Sequence, residues 1–188
     1  DGHTNGLLAD TLGDGTANTP KRVLTLLGGR DANPWAWNGE SRELHDQITK
    51  SLKNTMHGKA LPLTQVTDIV SFLHTLPPAP PLLPATDDSF DRELRGQGEL
   101  VFEHAGCVRC HVPPLTYTSD ASYDVGIHDE AGHKLFNPPS LRGVSQRDSY
   151  FHDGRAKSLE EVLEQGHFTQ KPLSAGDRAA LLRFLRSL

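Results

Sequence analysis

The pentapeptide CVRCH, residues 107–111, contains both cysteines of the 188-residue chain, and His111 directly follows Cys110. Four kinds of site contain two thiols at this spacing: a local disulfide, a thioredoxin-type redox pair, a zinc site, or covalently attached haem c. Each of them would fix the loop around Cys107 and Cys110. The motif therefore constrains the fold more than any other part of the sequence.

The residues around the motif favour haem c among these alternatives. A thioredoxin-type pair lies in a βαβ unit, and the sequence pattern contains none. A zinc site needs four ligands, and without a second cysteine pair His128 and His133 would have to complete it. In haem c attachment, Cys107 and Cys110 would form thioethers with the haem vinyl groups, and His111 would be the proximal iron ligand.

The composition agrees with a bound group that adds to a small core. Hydrophobic residues make up 36% of the chain and aromatic residues 6%, beside 17 glycines and 13 prolines. A chain with so few apolar side chains often adds a metal or a cofactor to its core. The net charge of −5 argues against a nucleic-acid surface, which needs clustered Lys and Arg. No apolar run approaches the roughly 20 residues of a membrane span.

The spacing of apolar residues predicts a mainly α protein with long loops. Helical periodicity is present in five segments: SRELHDQITKSLKNTM, LTQVTDIVSFLHTL, DRELRGQGELVFEHAG, SLEEVLEQ and LSAGDRAALLRFLRSL. In the fourth, Ser158 and Glu161 have the pattern of a capping box. The Pro-rich run LPPAPPLLPATDD cannot form a helix or a central strand, and we interpret it as a semi-rigid linker. We expect a first lobe over residues 1–76, a linker over 77–88 and a second lobe over 89–188.

The two lobes contain an internal repeat. NTPKRVLTLLGGRDANPWAWNGESRELHDQI begins at Asn18, and NPPSLRGVSQRDSYFHDGRAKSLEEVL begins at Asn137. Each copy runs from Asn and Pro through a basic loop, an aromatic pair and an Asn/Asp-Gly turn into a helix. The repeat predicts that the lobes have the same fold.

The second copy, together with the preceding CVRCHVPPL, resembles the C-terminal domain of the bacterial dihaem cytochrome c peroxidase/MauG family. The resemblance spans nearly the whole chain. It implies two cytochrome-c-like helical lobes related by a pseudo-twofold axis, with an electron path between two haems. The first lobe is similar to the rear part of that family's N-terminal domain, whose own CxxCH would lie upstream of residue 1. Because no signal peptide is visible and the chain opens abruptly at DGHTNGLL, we expect a mature product or a fragment. The resemblance implies that an upstream segment with a second haem is absent.

The resemblance also implies roles for residues outside the CxxCH motif. Trp37, in AWNG, matches a tryptophan between the two haems and is a candidate electron bridge, with core packing as the alternative. Asn18, in NTP, resembles an asparagine that binds calcium at the domain interface. Carbonyls near Asn137 and Pro139 would complete that site, because calcium takes six to eight oxygens. Loop capping is the alternative role of Asn18.

The sequence does not identify the sixth ligand of the haem iron. Family members supply a Met or a Tyr after the HDGR helix, whereas the one methionine of this chain, Met56, lies in the first lobe. His167, in EQGHFTQ, is therefore the first candidate and Met56 the second; two axial histidines would lower the potential relative to His/Met. Arg142 and Arg155 are candidate partners of the haem propionates, or else solvated. His152 is expected to bond backbone or a propionate.

The resemblance implies an electron-transfer module of a periplasmic or extracellular c-type cytochrome, since haem c is attached after export. An active dihaem peroxidase that reduces hydrogen peroxide is one alternative, and a non-catalytic docking module is another. Family peroxidases carry a Glu just before a Met in the first lobe, and Thr55 stands there in this chain. Threonine cannot serve as the acid–base group. The expected partners are a small redox protein and, in the peroxidase alternative, hydrogen peroxide, within a homodimer or a larger parent protein.

Overall fold

The structure is a computed structural model that describes residue 4 and residues 6–10, 12–114, 116–165, 167 and 172–188. These residues form five α-helices and four short strands, so the prediction of a mainly α fold is confirmed. The helices are α1 (Leu44–Lys50), α2 (Leu63–Leu73), α3 (Ser89–His104), α4 (Leu159–Glu164) and α5 (Ala175–Leu185). The strands are β1 (Leu8–Asp10), β2 (Pro20–Arg22), β3 (Tyr123–Asp124) and β4 (Leu135–Phe136), paired antiparallel as β1–β2 and β3–β4.

Side-chain caps fix the beginnings of the helices in the second lobe. Asp88, Ser158 and Ser174 each accept a hydrogen bond from the amide three residues further on, at the starts of α3, α4 and α5. The predicted capping box at Ser158 is altered in its second half. The carboxylate of Glu161 accepts from the amide of Lys157 at 2.8 Å, one residue before the cap.

The first predicted helix is shorter than its apolar pattern. We expected it to continue to Met56, but α1 ends at Lys50 and the chain goes on as a π-helical turn over Ser51–Thr55. Leu44 and Ile48 of α1 pack with Val66 and Val70 of α2 in the small core of the first lobe.

The two lobes have the same local backbone at corresponding positions of the repeat. Gly28 and Gly143 both have left-handed φ angles, 67° and 63°, and each begins a 3₁₀ turn. Further along, a single antiparallel bridge forms in each lobe, Trp35 with Ser41 and Tyr150 with Ala156. These corresponding residues are 115 positions apart. This register pairs Asn137 with Arg22, so the sequence alignment that began the two copies at Asn18 and Asn137 is displaced by four residues at its start. The repeat that the sequence predicts is therefore present in the backbone.

The lobes meet through a reciprocal pair of backbone hydrogen bonds. The amide of Arg22 donates to the carbonyl of His152 at 2.6 Å, and the amide of Asn137 donates to the carbonyl of Trp37 at 2.8 Å. Arg22 and Asn137 are corresponding positions of the repeat, and so are Trp37 and His152. The exchange is the pattern that a pseudo-twofold axis between the lobes produces.

A buried ammonium group lies at this junction. Lys21 of β2 is 1% exposed, and its Nζ atom lies 3.3 Å from Asp14 Oδ2 and 3.2 Å from Asp129 Oδ2. The hydroxyls of Thr16 and Thr19 accept from the same ammonium at 3.0 and 2.9 Å. Because Asp129 belongs to the second lobe, Lys21 connects the two lobes through an ion pair as well as through packing.

The core of the second lobe is built where α3 and α5 pack against each other. Phe102 of α3 and Phe184 of α5 have ring centroids 5.5 Å apart, with Leu181 buried beside them. Gly98 is the buried residue of α3 that faces the backbone of α5 at Ala180. The helices approach closely here because position 98 has no side chain.

The Pro-rich segment is packed against both lobes. Pro78 lies against Gly28 of the first lobe, and Ala79 lies against Gly143 of the second. Two backbone hydrogen bonds hold its ends, from the amide of Gly28 to the carbonyl of Leu76 and from Leu83 to Arg186. Among the described residues, no helix is long and apolar enough to cross a membrane.

Candidate functional site: a cavity above the CxxCH motif

The CxxCH motif forms a tight turn at the end of α3. Gly106, with a φ angle of 86°, turns the chain out of the helix, and residues 107–109 form one 3₁₀ turn. The amide of His111 donates to the carbonyl of Cys107 at 2.9 Å. The side chains of Cys107, Cys110 and His111 thereby reach the wall of one cavity.

The two thiols are free and do not form a disulfide. Burial raises the pKa of Cys107 to about 11, and burial also raises the pKa of Cys110. A thioredoxin-type pair needs the opposite, a thiol pKa lowered toward neutrality. Among the described residues, no group of three or more His, Cys, Asp or Glu side chains could hold a metal ion. Neither the redox pair nor the zinc site of the sequence alternatives is supported.

His111 is held in the tautomer of an axial metal ligand. Its Nδ1 atom lies 2.8 Å from the carbonyl oxygen of Tyr117, so that Nδ1–H donates and Nε2 keeps its lone pair. Burial lowers the pKa of His111 to about 4, and the ring is neutral at physiological pH. The ring is thus oriented by one bond and ready to bind through the other nitrogen.

The cavity contains about 1130 Å³ of space not filled by protein atoms, part of it open to solvent. Its wall is mostly apolar and draws on α3, α4, α5 and the β3–β4 hairpin, with Phe102, Ile127, Phe136, Val144, Tyr150, Leu159, Val162 and Leu181 among the lining residues. Such a wall suits a large flat apolar group that also carries a few polar substituents.

His167 faces His111 across the cavity. The ring centroids lie 6.3 Å apart with an angle of 55° between the planes. Nδ1 of His167 is buried and has no hydrogen-bond partner among the described residues, and burial lowers the pKa of the ring, which is therefore neutral. An imidazole nitrogen binds a metal at about 2 Å, with the ring centre about 1 Å further out, so two axial imidazoles on one ion have centroids about 6 Å apart. The observed separation matches that requirement.

The first lobe contributes part of the cavity wall. Trp37 and Arg22 both line it, and Trp37 Nε1 donates to the carbonyl of Arg22 at 2.8 Å. Trp37 also contacts His152 edge to face, with centroids 6.4 Å apart, and His152 stacks on Phe136 at 4.6 Å. Trp37 therefore lies at the contact between the two lobes, and its role as an electron bridge stays a prediction. The Nδ1 atom of His152 is buried, and no described residue forms a hydrogen bond with it.

Three other candidates lie outside the cavity wall. Arg142 donates to the carbonyl of Pro114 at 2.8 Å and stacks over Tyr117, and Arg155 pairs with Asp153 at 2.6 Å near the surface. Met56 is 68% exposed. Of the two candidate distal ligands, only His167 lines the cavity.

The structure describes no contact that joins the residues of the predicted calcium site. The backbone amide of Asn18 donates to Asp10, and Asn18 is exposed. Asn137 and Pro139 line the cavity, and the side-chain amide of Asn137 donates to two carbonyls, of Ser119 and Ala121. Calcium at these residues stays a prediction, and the structure adds no contact that favours it.

Two arginines at the cavity were not singled out from the sequence. Arg22 is 2% exposed, and Arg147 lies in the basic loop of the second repeat. Both line the cavity beside the apolar residues. Each stands inside a repeat copy, which is the only signal in the sequence that could have pointed to them.

The sequence profile of the di-haem cytochrome c peroxidase family matches residues 89–187. The chain belongs to this family. Membership implies a haem-based redox function and covalently bound haem c. The methylamine utilization protein MauG of Methylorubrum extorquens is 31% identical over 112 residues, which cover 45% of this chain and 31% of that protein.

Two further proteins resemble the chain. The cytochrome c551 peroxidase of Nitrosomonas europaea is 30% identical over 96 residues, 39% of this chain and 28% of that protein. Both curated relatives are thus matched over about a third of their length or less. The solved structure of Kuenenia stuttgartiensis hydrazine synthase superposes with a TM-score of 0.79 at 19% identity, covering 100% of this chain and 78% of that one. At this identity the likeness concerns the fold.

The residues at the cavity fit haem c. Two adjacent thiols lie at one end, a neutral imidazole with a free Nε2 lies beside them, and a second imidazole lies opposite at the separation of two axial ligands. The remaining wall is apolar apart from Arg22, Arg147, Asn137 and His152. Cys107, Cys110 and His111 would hold the group, and His167 would be its second axial ligand.

Proposed function

We propose that this chain is a c-type cytochrome module that relays electrons through one covalently bound haem c. When bound, haem c supplies a one-electron ferric/ferrous couple. The observation that supports a relay best is the pair of facing imidazoles of His111 and His167. If both imidazoles were ligands of the haem iron, no position would remain for a substrate, and a relay needs none.

The chain's own residues would perform three tasks in the relay. Cys107 and Cys110 tether the group, and the bond from His111 to the Tyr117 carbonyl sets the orientation of the proximal ring. The apolar wall excludes water, which keeps the change in solvation small when the charge of the site changes. Trp37, at the lobe junction, is our candidate for the exit toward a group on the first lobe.

Peroxide reduction is the alternative activity, and the cavity favours it less. It requires an open coordination position and a neighbouring acid–base group. His167 occupies the side opposite His111, and the described cavity wall contains no Asp or Glu. The relay is compatible with a peroxidase site on a second haem of a longer protein. It is also compatible with a small redox protein as the electron donor, with a periplasmic location and with a larger assembly.

Haem counting tests the proposal. The chain produced in a host with c-type haem maturation should gain the mass of one haem under denaturing conditions and give a haem c pyridine haemochrome spectrum. The variant Cys107→Ser/Cys110→Ser should lose covalent haem completely, because no other cysteine is present. The purified protein should take up one electron per chain from a reductant. Absence of haem from the wild-type chain, or hydrogen peroxide turnover by this chain alone, would contradict the relay.

Replacement of His167 tests the second axial ligand. The wild-type protein is expected to have the absorption spectrum of a six-coordinate low-spin haem. His167→Ala should become high-spin, bind cyanide much faster and return to low spin when imidazole is added. His128→Ala removes an exposed histidine that does not line the cavity and should leave the spectrum unchanged. A low-spin spectrum in His167→Ala without added imidazole would show that another group is the ligand.

A further inference from the structure

The guanidinium of Arg22 is a buried cation without a matching anion in the described part of the chain. Its residue is 2% exposed, its Nε atom has no hydrogen-bond partner, and no described carboxylate lies within ion-pair distance. Burial lowers the pKa of Arg22, and Asp148 opposes this only at longer range. An arginine in such surroundings is costly to keep unless an anion reaches it.

A second cation faces the same space. Arg147 lines the cavity with Arg22, and its described hydrogen bond goes to the carbonyl of Ser140. Burial and, to a smaller extent, the positive charge of Arg22 lower the pKa of Arg147 to about 10. Two like charges that repel each other within one apolar cavity require negative charge between or beside them.

The backbone of Arg22 is fixed by both lobes. Its amide donates to the carbonyl of His152, its carbonyl accepts from Trp37 Nε1, and its guanidinium carbon lies 5.5 Å from the Trp37 ring centroid. A cation over an indole face is attracted by the ring. The guanidinium is therefore oriented before any ligand arrives.

We propose that Arg22 and Arg147 form the site for the two carboxylate substituents of haem c. A guanidinium fork matches a carboxylate in bidentate geometry, and an apolar cavity beside a CxxCH motif has no other expected dianion. The inference rests on the proposed function. It replaces Arg142 and Arg155 as propionate partners, and it makes the first lobe supply half of the anion site of a haem that is tethered to the second lobe.

The midpoint potential of the haem tests this assignment. Carboxylates that lose a cationic partner stabilise the ferric state, so Arg22→Gln and Arg147→Gln should each shift the potential to lower values at constant pH and ionic strength. Arg22→Lys should retain much of the wild-type potential, because the charge is kept. Arg155→Gln is the matched control, since Arg155 is exposed and pairs with Asp153. Its potential should equal that of the wild type.

The outcomes separate this inference from the proposed function. Haem content should be the same in all four variants, because the thioethers hold the group. If the wild-type chain binds no haem, the proposed function fails. If haem is bound but Arg22→Gln and Arg147→Gln keep the wild-type potential, the arginine assignment is wrong. Should Arg22→Gln lose its helical circular dichroism, Arg147→Gln, at a less buried position, decides alone.

Discussion

Replacing Lys21 with methionine is expected to lower the free energy of unfolding by about 3–5 kcal/mol, the usual cost of removing one partner from a buried ion pair. Methionine matches the length and volume of the lysine stem, so lost packing contributes little. The cost comes from Asp14 and Asp129, which would remain buried and charged without the ammonium that lies 3.3 and 3.2 Å from them. Urea denaturation followed by circular dichroism measures the loss.

The position of Lys21 on the lobe junction explains why so large an effect is expected. Asp14 and Asp129 are corresponding residues of the repeat, and each accepts at Oδ1 from the amide two positions further on, at 3.0 Å in both lobes. The two carboxylates therefore converge on the junction from symmetric directions. Lys21, which belongs to the first lobe alone, lies where the two carboxylates meet. Without its positive charge, the two carboxylates would repel each other.

An exposed ion pair provides the control for Lys21. Lys50 lies 3.6 Å from Glu40, and both side chains are more than a third exposed. Lys50→Met should cost about 0–1 kcal/mol. Lys21→Met/Asp129→Asn should regain part of the stability, because one of the two uncompensated charges is removed. Equal losses in Lys21→Met and Lys50→Met would show that the buried cluster contributes no more than a surface pair.

The difference between wild type and Lys21→Met should depend on pH. Burial acts to raise the pKa of Asp129, but the amide of His133 and the ammonium of Lys21 outweigh it and hold the pKa below its ordinary value. In the variant, the buried carboxylate of Asp129 without the Lys21 ammonium should have a higher pKa than in the wild type. Protonation on acidification removes the penalty of this carboxylate in the variant and removes the wild-type ion pairs, so the stability difference should shrink as the pH falls.

Gly98→Ala is expected to destabilise the protein by roughly 1–3 kcal/mol through overpacking. A Cβ atom at this position would overlap the carbonyl oxygen of Ala180 and lie 2.6 Å from Cβ of Phe184. Neither atom can move without shifting the backbone or core of α5. Thermal or urea unfolding of the haem-loaded protein measures the effect. The separation of α3 and α5 should increase, and near-ultraviolet circular dichroism should report the change around Phe102.

The matched control lies in the same helix. A Cβ atom at Gly96 would meet no other atom within 4 Å, and the residue is exposed. Gly96→Ala should stabilise the protein by up to about 1 kcal/mol, because alanine favours a helix interior and restricts the unfolded chain. The two substitutions are chemically identical and should have opposite signs. A stabilising Gly98→Ala would contradict the close approach of α3 to α5 at Ala180.

The parts of the site that the sequence predicted are those encoded locally. Cys107, Cys110 and His111 are neighbours in the chain, so their spacing alone restricts what they can bind. The helices were predicted because their apolar period repeats within a few residues. His167 was named for its residue type and for its position after the HDGR segment, where the resembled family supplies the ligand, and the structure brings its ring to His111.

The residues that the sequence did not single out depend on long-range packing. Arg22 and Arg147 lie in different lobes, and no local pattern distinguishes them from Arg142 or Arg155. Lys21 belongs to a residue type that is rarely buried, and its carboxylate partners come from both lobes. The end of α1 at Lys50 also departs from the apolar pattern, which continues beyond it.

The proline-rich segment contacts Gly28 on one lobe and Gly143 on the other, two corresponding positions of the repeat where any larger side chain would collide with it. A segment in contact with both lobes in this way does not act as a hinge between them. Redox groups bound to the two lobes would therefore stay at a fixed distance from each other. The rate of electron tunnelling between them would depend on that distance and would not require a domain movement.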